Sequence, residues 1–291
     1  AFETQDGMMV TDHASIILRV NRAFTRLTGY SAEEALGETP KILRSGRHDK
    51  EFYRRLWETL LQEKYWEGEV WNRRKNGEIY PEWLTISAVS GADGSVTNYV
   101  GIFSDITQRK AAEEQIHSLA FYDPLTQLPN RRLLLDRFGQ AQLASARRKN
   151  YGAVLFLDLD EFKVLNDTQG HEVGDLLLIE VANRLLSCVR AEDTVARLGG
   201  DEFVVVLEEL SHDEQVAAAQ AREVAEKIRL TLDAPYTLQD LTHTSTPSIG
   251  ICLFNGTEKS VTDLLAQADK ARYQAKAAGR NAVRFYDPDT P

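Results

Sequence analysis

The chain has 291 residues, 43% apolar and 27% charged, enough for two globular domains with sizeable cores. Its formal charge of −10 argues against a nonspecific nucleic-acid binder, so a phosphate ligand would need locally placed cations. No apolar run approaches a membrane span and no signal peptide is visible. Cys188 and Cys252 lie in apolar stretches without zinc-ligand spacing, and both read as core residues. A reducing, cytoplasmic setting is the default. The start at Ala1 without Met reads as a fragment, for instance the cytoplasmic part of a larger, membrane-anchored protein.

Along the chain, residues 1–106 read as mixed helix and strand. Ser31 and Glu34 have capping-box spacing. "EFYRRLWETLLQ" carries Phe52, Leu56, Leu60 and Leu61 at helical spacing. The period then changes to segments rich in Val, Ile, Trp, Tyr and Thr, with hairpin-turn signals at Asn76-Gly77 and Asp93-Gly94. An antiparallel meander with helices at its front is expected. Residues 107–121 form a linker rich in helix formers with a narrow stripe of Ala112, Ile116 and Leu119. It is either a helix lying on one domain or a dimer stalk.

Residues 122–287 alternate helices with strands. Helices are expected after "LPNRR", over "GDLLLIEVANRLLSCVRAED", near 213–232 and near 261–278. Strands are expected at "GAVLFLDLD", in a hairpin over 195–206, at "PSIGICLF" and in the closing "GRNAVRFY". The fold class is α/β (α+β), the second domain having a mixed central sheet flanked by helices.

Chemistry concentrates at two places. Asp158 and Asp160 end an apolar strand and share one face if the strand persists. Asp160 reads more simply as a cap of the next helix, a reading that does not suit Asp158. Gly199-Gly200-Asp201-Glu202 is an ordinary turn on its own. If its hairpin pairs beside the first strand, Asp158 and Asp201 converge, and convergent carboxylates need a cation or a proton. Mg²⁺ takes one or two carboxylates and leaves room for water and phosphate. Glycines without Cβ leave space for a nucleotide.

Five segments in order, "DPLTQLPNRR", "DLDEFKVLNDTQGHEVGD", "RLGGDEF", "SIGI" and "AKAAGRN", make residues 122–287 resemble the GGDEF diguanylate cyclase domains. The resemblance implies condensation of two GTP into cyclic di-GMP and two pyrophosphates. It requires a homodimer, because each domain holds one GTP; the first domain and the linker helix would join the copies. It implies Mg²⁺ or Mn²⁺ on Asp158, Asp201 and the Leu159 carbonyl, with Glu202 beside the ion. Lys163 would meet the phosphates, and Asp201 is the family's usual base. Gly199 and Gly200 would border the substrate. Lys276 and Arg280 would bind the triphosphate, and their spacing puts them on one helical face. Asn166 and Asp175 would read guanine. Their plainer roles are a turn for Asn166 and a helix N-terminus for Asp175. Arg190 and Asp193 match the family's inhibitory product site, against a plain reading as a surface ion pair. Lys227 stands where a product-binding arginine is expected. A GTP-binding regulatory module without turnover and a scaffold indifferent to GTP are the alternatives.

Residues 1–106 resemble a PAS sensor domain, through "NRAFTRLTGYSAEEALG", the glycine-turn strands and the closing "DIT" at 105–107. "PKILRSGRHDKEFYRRLWETL" and "YWEGEVWNRRKNGEIY" resemble flavin-binding relatives. This implies FAD, with Trp66, Trp71 and Asn72 as contacts, against a plain reading of aromatic packing. The cysteine of the blue-light flavin class is absent. His48 is retained as a heme-ligand candidate.

Overall fold

The computed structural model describes residues 4–288 and divides into two compact units, 1–115 and 116–291. No helix among the described residues is long and apolar enough to cross a membrane.

Unit 1 begins with strands β1 (Gly7–Asp12) and β2 (Ile17–Val20). Helices α1 (Arg22–Thr28) and α2 (Ala32–Ala35), a 3₁₀ turn (Pro40–Leu43) and α3 (Lys50–Glu63) follow. Strands β3 (Tyr65–Arg73), β4 (Ile79–Ser90) and β5 (Val96–Asp105) complete it. The sheet order is β2-β1-β5-β4-β3. The expected meander is therefore β3–β5 alone. β1 lies beside β5, antiparallel to it, so the first strand is an inner strand of the sheet. Ser31 and Glu34 form the expected capping box at α2. On α3, Leu56 and Leu60 are buried but Leu61 is exposed, since adjacent helical residues face about 100° apart. Phe24, Leu43, Val70 and Phe103 fill the core.

Helix α4 (Thr107–Phe121) starts at Asp105, whose Oδ1 accepts the Thr107 N–H at 2.8 Å. None of its residues is buried, and Ile116 and Leu119 are 67% and 59% exposed. The apolar stripe is thus uncovered by this chain.

Unit 2 continues with α5 (Arg131–Arg148), β6 (Gly152–Leu159), α6 (Phe162–Gln169) and α7 (His171–Cys188). β7 (Thr194–Gly199), β8 (Glu202–Leu207) and α8 (Glu214–Asp233) follow. Last come β9 (Tyr236–Leu238), β10 (Leu241–His243), β11 (Pro247–Phe254), α9 (Val261–Ala277) and β12 (Val283–Phe285). The small β9–β10 ribbon has no strong sequence signal. The main sheet runs β12-β11-β6-β8-β7, and only β11 and β12 are parallel. Every residue of β6 is buried. Leu155, Leu157 and Leu159 join one core, Val154 and Phe156 the other, as alternation across a doubly covered strand requires. Cys188 and Cys252 are buried and unpaired, as expected.

The strand does not persist to Asp160, and Asp160 is not a helix cap. Glu161 precedes α6 with φ 61° and makes no side-chain cap bond. Buried Asp160 instead accepts from Thr246 Oγ1 and Ser248 Oγ at 2.7 Å each and from the Asn281 N–H at 3.0 Å. Two separate segments, the start of β11 and the loop after α9, are tied to the end of β6, and a buried carboxylate gains the partners it needs.

Gly250 of β11 sets how closely α9 approaches the sheet. A Cβ there would lie 2.0 Å from the Ala268 carbonyl oxygen and 2.2 Å from the Arg272 nitrogen. Both are helix backbone and cannot step aside. Gly250→Ala should therefore destabilise unit 2 by about 1–3 kcal/mol or more, read as a lower urea midpoint.

Candidate active site

The site forms where two strands end together. Asp158 of β6 pairs with Glu202 of β8, so their side chains share a face, and Asp201 is the next residue in the turn. Gly199 and Glu202 pair across a two-residue loop, Gly200-Asp201. Gly199 has φ 143° and Gly200 φ 52°, regions that other residues enter only with strain. A Cβ at either would meet nothing within 4 Å, so the turn opens onto free space. The glycines shape the loop and leave its surface clear.

Burial, then the charge of Asp158, holds the Asp201 carboxyl above the usual carboxylate range. Burial also raises Glu202, with Arg272 pulling it back down. The two aspartates expected to converge do so closely enough to repel. Countercharge comes from α9. Arg272 Nη1 lies 2.8 Å from Asp158 Oδ2, and Lys276 Nζ pairs with Oδ1. Only 8% of the Asp158 side chain is exposed, against 12% for Arg272 and 32% for Lys276.

Among the described residues no group of three or more His, Cys, Asp or Glu forms a ready metal cage. Two carboxylates with open space beside them fit Mg²⁺ or Mn²⁺, which retain water and take phosphate oxygens. The Asp160 N–H bonds the Thr246 carbonyl of the segment leading into β11 at 2.7 Å. The Leu159 carbonyl belongs to the same trans peptide and so points the opposite way, to the β8 side.

Arg272 was not singled out from the sequence. Its signal was available, because it stands one turn before Lys276 on the same helical face. Arg197 was also missed. It donates to the Gly200 carbonyl from Nε at 3.0 Å and Nη2 at 2.7 Å, and Nη1 lies 2.9 Å from Asp123 Oδ1. The segments "DPLTQLPNRR" and "RLGGDEF" are thus clamped together.

Arg280 departs from expectation. α9 ends at Ala277, and Arg280 has φ 63° in the following loop, so it shares no helical face with Lys276. It lines a cavity of about 400 Å³ with Asp160, Glu161, Val164 and Ser245. Lys163 is exposed on α6 and Asp175 is exposed near the start of α7. Asn166 packs so closely on Gly174 that a Cβ there would lie 1.9 Å from its Oδ1, an oxygen buried without a partner.

At the other end of α7, Asp193 accepts the Arg190 backbone N–H at 2.9 Å and the Glu208 N–H at 3.1 Å. The expected surface ion pair is not made, because the carboxylate is occupied by backbone. The Arg190 side chain is left exposed. Lys227 donates to the Cys188 carbonyl at 3.1 Å, closing the last turn of α7 beside that loop.

Unit 1 encloses a cavity of about 330 Å³ lined by Met9, Leu56, Asn72, Glu82, Leu84 and Tyr99 among others. Asn72 lines it, but Trp66 and Trp71 do not. Trp66 packs edge-on to Phe52, and the Arg47 guanidinium covers Trp71 at 4.0 Å. The His48 Nε2 accepts the Trp71 N–H at 2.9 Å, which occupies the lone pair that a heme iron would need. Glu82 is fully buried and accepts from Asn72 Nδ2 and Tyr80 OH, each at 2.8 Å. Burial pushes its carboxyl up to about 7.

The two-domain reading agrees with comparison to known proteins. Residues 120–282 match the family described as "Diguanylate cyclase, GGDEF domain", and residues 5–108 match "PAS domain". The chain belongs to the GGDEF domain family, with a PAS domain preceding the GGDEF domain. It is 44% identical over 181 residues, 62% of this chain, to the bifunctional diguanylate cyclase/cyclic di-GMP phosphodiesterase MucR of Pseudomonas aeruginosa, spanning 26% of that protein. It is 30% identical over 294 aligned residues, 97% of this chain, to the probable diguanylate cyclase DgcE of Escherichia coli, spanning 25% of that protein. The crystal structure of the GGDEF domain of YfiN or TpbB from Pseudomonas aeruginosa superposes with a TM-score of 0.53 at 37% identity. That match covers 56% of this chain and 99% of the other. The chain thus spans about a quarter of each of these two curated relatives.

Glu82 makes the stability of unit 1 depend on pH. An ordinary carboxyl titrates near 4.5, and Glu82 near 7. Between those values the unfolded chain has released a proton that the folded chain retains. Stability therefore falls as pH rises through that window and levels off above it. Glu82→Gln should remove this slope and raise stability at pH 8 by up to about 3 kcal/mol, measured by urea midpoints across pH.

Proposed function

We propose that unit 2 condenses two GTP into cyclic di-GMP with release of two pyrophosphates, under the control of unit 1. The observation carrying this is the pairing of Asp158 with Glu202 across two strands, with Asp201 beside them in a turn that two left-handed glycines keep clear. The family match and the printed activities of MucR and DgcE support it.

The reaction is in-line attack of a ribose 3′-hydroxyl on an α-phosphorus. Asp158, Asp201 and the Leu159 carbonyl would hold Mg²⁺ or Mn²⁺, which draws charge from the phosphate oxygens. Lys276, a third exposed, can leave Asp158 for the triphosphate. Lys163 meets the phosphates from α6, and Arg280 reaches them from its loop. Asn166 and Asp175 present amide and carboxylate to guanine, and the unpartnered Asn166 oxygen suits a ring N–H. Asp201 would accept the hydroxyl proton. A metal-holding carboxylate is a weak base, so fixed positive charge provides most of the acceleration. Glu202 adds negative charge on the metal side.

Each domain holds one GTP, so two copies must face each other. The exposed Ile116 and Leu119 of α4 suit pairing with a second copy. The cavity in unit 1 suits a small regulatory ligand in size. FAD there now rests on Asn72 alone. GTP as substrate sets the work in the cytoplasm. Arg190, with Asp193 shaping its loop, is the product-inhibition site, and Lys227 in place of an arginine weakens it, because an ammonium lacks the planar fork.

Incubation of a dimeric preparation with GTP and Mg²⁺ should yield cyclic di-GMP by chromatography. Asp158→Asn should lower the rate at least about 100-fold. GTP bound without product would instead identify a binding module. Arg190→Ala should relieve inhibition by added cyclic di-GMP while initial turnover is retained. Equal product sensitivity in the variant would remove Arg190 from the inhibitory site.

A further inference from the structure

Arg272 has no role in the reading above, yet it is the best-fixed cation in the site. Its guanidinium bridges two carboxylates, with Nη1 2.8 Å from Asp158 Oδ2 and Nη2 2.6 Å from Asp269 Oδ1. Nε adds a 2.7 Å bond to Asp269 Oδ1, and the ring of Phe156 lies 5.4 Å from the guanidinium carbon. Gly250 lets the backbone of Arg272 sit directly on β11. The charge bears on Asp201 and Glu202 as well as Asp158. Lys276 contributes a second charge but is far more exposed, at 32% against 12%.

We propose that Arg272 is a resident competitor for the divalent ion, which holds Asp158 when no metal is bound and makes the site take the ion together with a triphosphate. This rests on the reading of Asp158 and Asp201 as the metal-holding pair. A bare divalent cation approaching Asp158 meets two positive side chains already on its oxygens. A metal–triphosphate complex carries net negative charge and is attracted by the same two groups. Lys276 can turn to the phosphates. Arg272 cannot leave readily, because its planar fork is shared with Asp269 in a nearly closed pocket. Like charge a few ångströms from the ion then lowers the affinity for metal alone. The arginine thus determines the order in which metal and nucleotide are taken.

The test uses the full chain, Mn²⁺ alone as probe and no nucleotide, with free Mn²⁺ read by electron paramagnetic resonance. Arg272→Gln keeps a hydrogen-bond donor and removes the charge; Arg272→Leu removes both. Each variant that retains the wild-type circular dichroism spectrum should bind Mn²⁺ about tenfold or more tightly than wild type. It should unfold at a lower temperature in EDTA and recover on adding Mn²⁺. Adding Asp158→Asn should abolish the gain. A folded variant that binds Mn²⁺ no more tightly than wild type overturns the proposal, as does a gain that survives Asp158→Asn. If Asp158→Asn alone leaves both Mn²⁺ binding and GTP turnover unchanged, the metal-site reading itself falls and the competitor with it. Failure confined to Arg272 leaves the effect of Asp158→Asn intact.

Discussion

Negative charge gathered at the end of a buried strand is the constraint around which unit 2 is organised. Asp158, Asp201 and Glu202 are brought together by the β6–β8 pairing, and burial prevents water from screening them fully. Such a cluster needs positive charge. The fold supplies it by seating α9 directly on β11, so that Arg272 and Lys276 reach over the strand ends. The requirement for a small residue at position 250 follows from the same need. Geometry remote from the carboxylates is therefore set by them.

The neighbouring Asp160 shows how two residues apart can mean two different jobs. Asp158 faces cations that can be exchanged, whereas Asp160 is enclosed by hydroxyls and a backbone amide from two segments. The first arrangement suits ligand exchange and the second suits permanence. The same division recurs in unit 1. Asn72 commits its amide to Glu82, while much of the surrounding cavity wall is apolar.

Much of this was readable in the sequence because it depends on local rules. Alternation and helical spacing located β3–β5, α5, β6, α8 and α9, and the glycine pairs marked the turns. The convergence of Asp158 and Asp201 followed once the hairpin was taken to pair beside β6. What escaped depends on contacts distant in sequence. Nothing near Arg197 announces that Asp123 will face it, 74 positions away, and the partners of Asp160 lie 86, 88 and 121 positions away. The helical face that Arg280 was expected to share with Lys276 failed for a local reason. Helical spacing holds only while the helix lasts, and α9 stops three residues before Arg280. Trp66 and Trp71, expected from a resemblance to flavin-binding relatives, do not line the cavity of unit 1, because their rings pack against Phe52 and Arg47 instead.

The loop Arg190–Asp193 also bears on how this protein can be dissected genetically. Its two named residues are unequal as probes. Asp193 binds two backbone amides and thereby pins the end of β8, whereas the Arg190 side chain extends into solvent. A lesion at the aspartate would alter chain conformation together with any product inhibition, so the two effects could not be told apart. A substitution at the arginine leaves those backbone bonds in place, so there an allele would test the proposed product inhibition by itself.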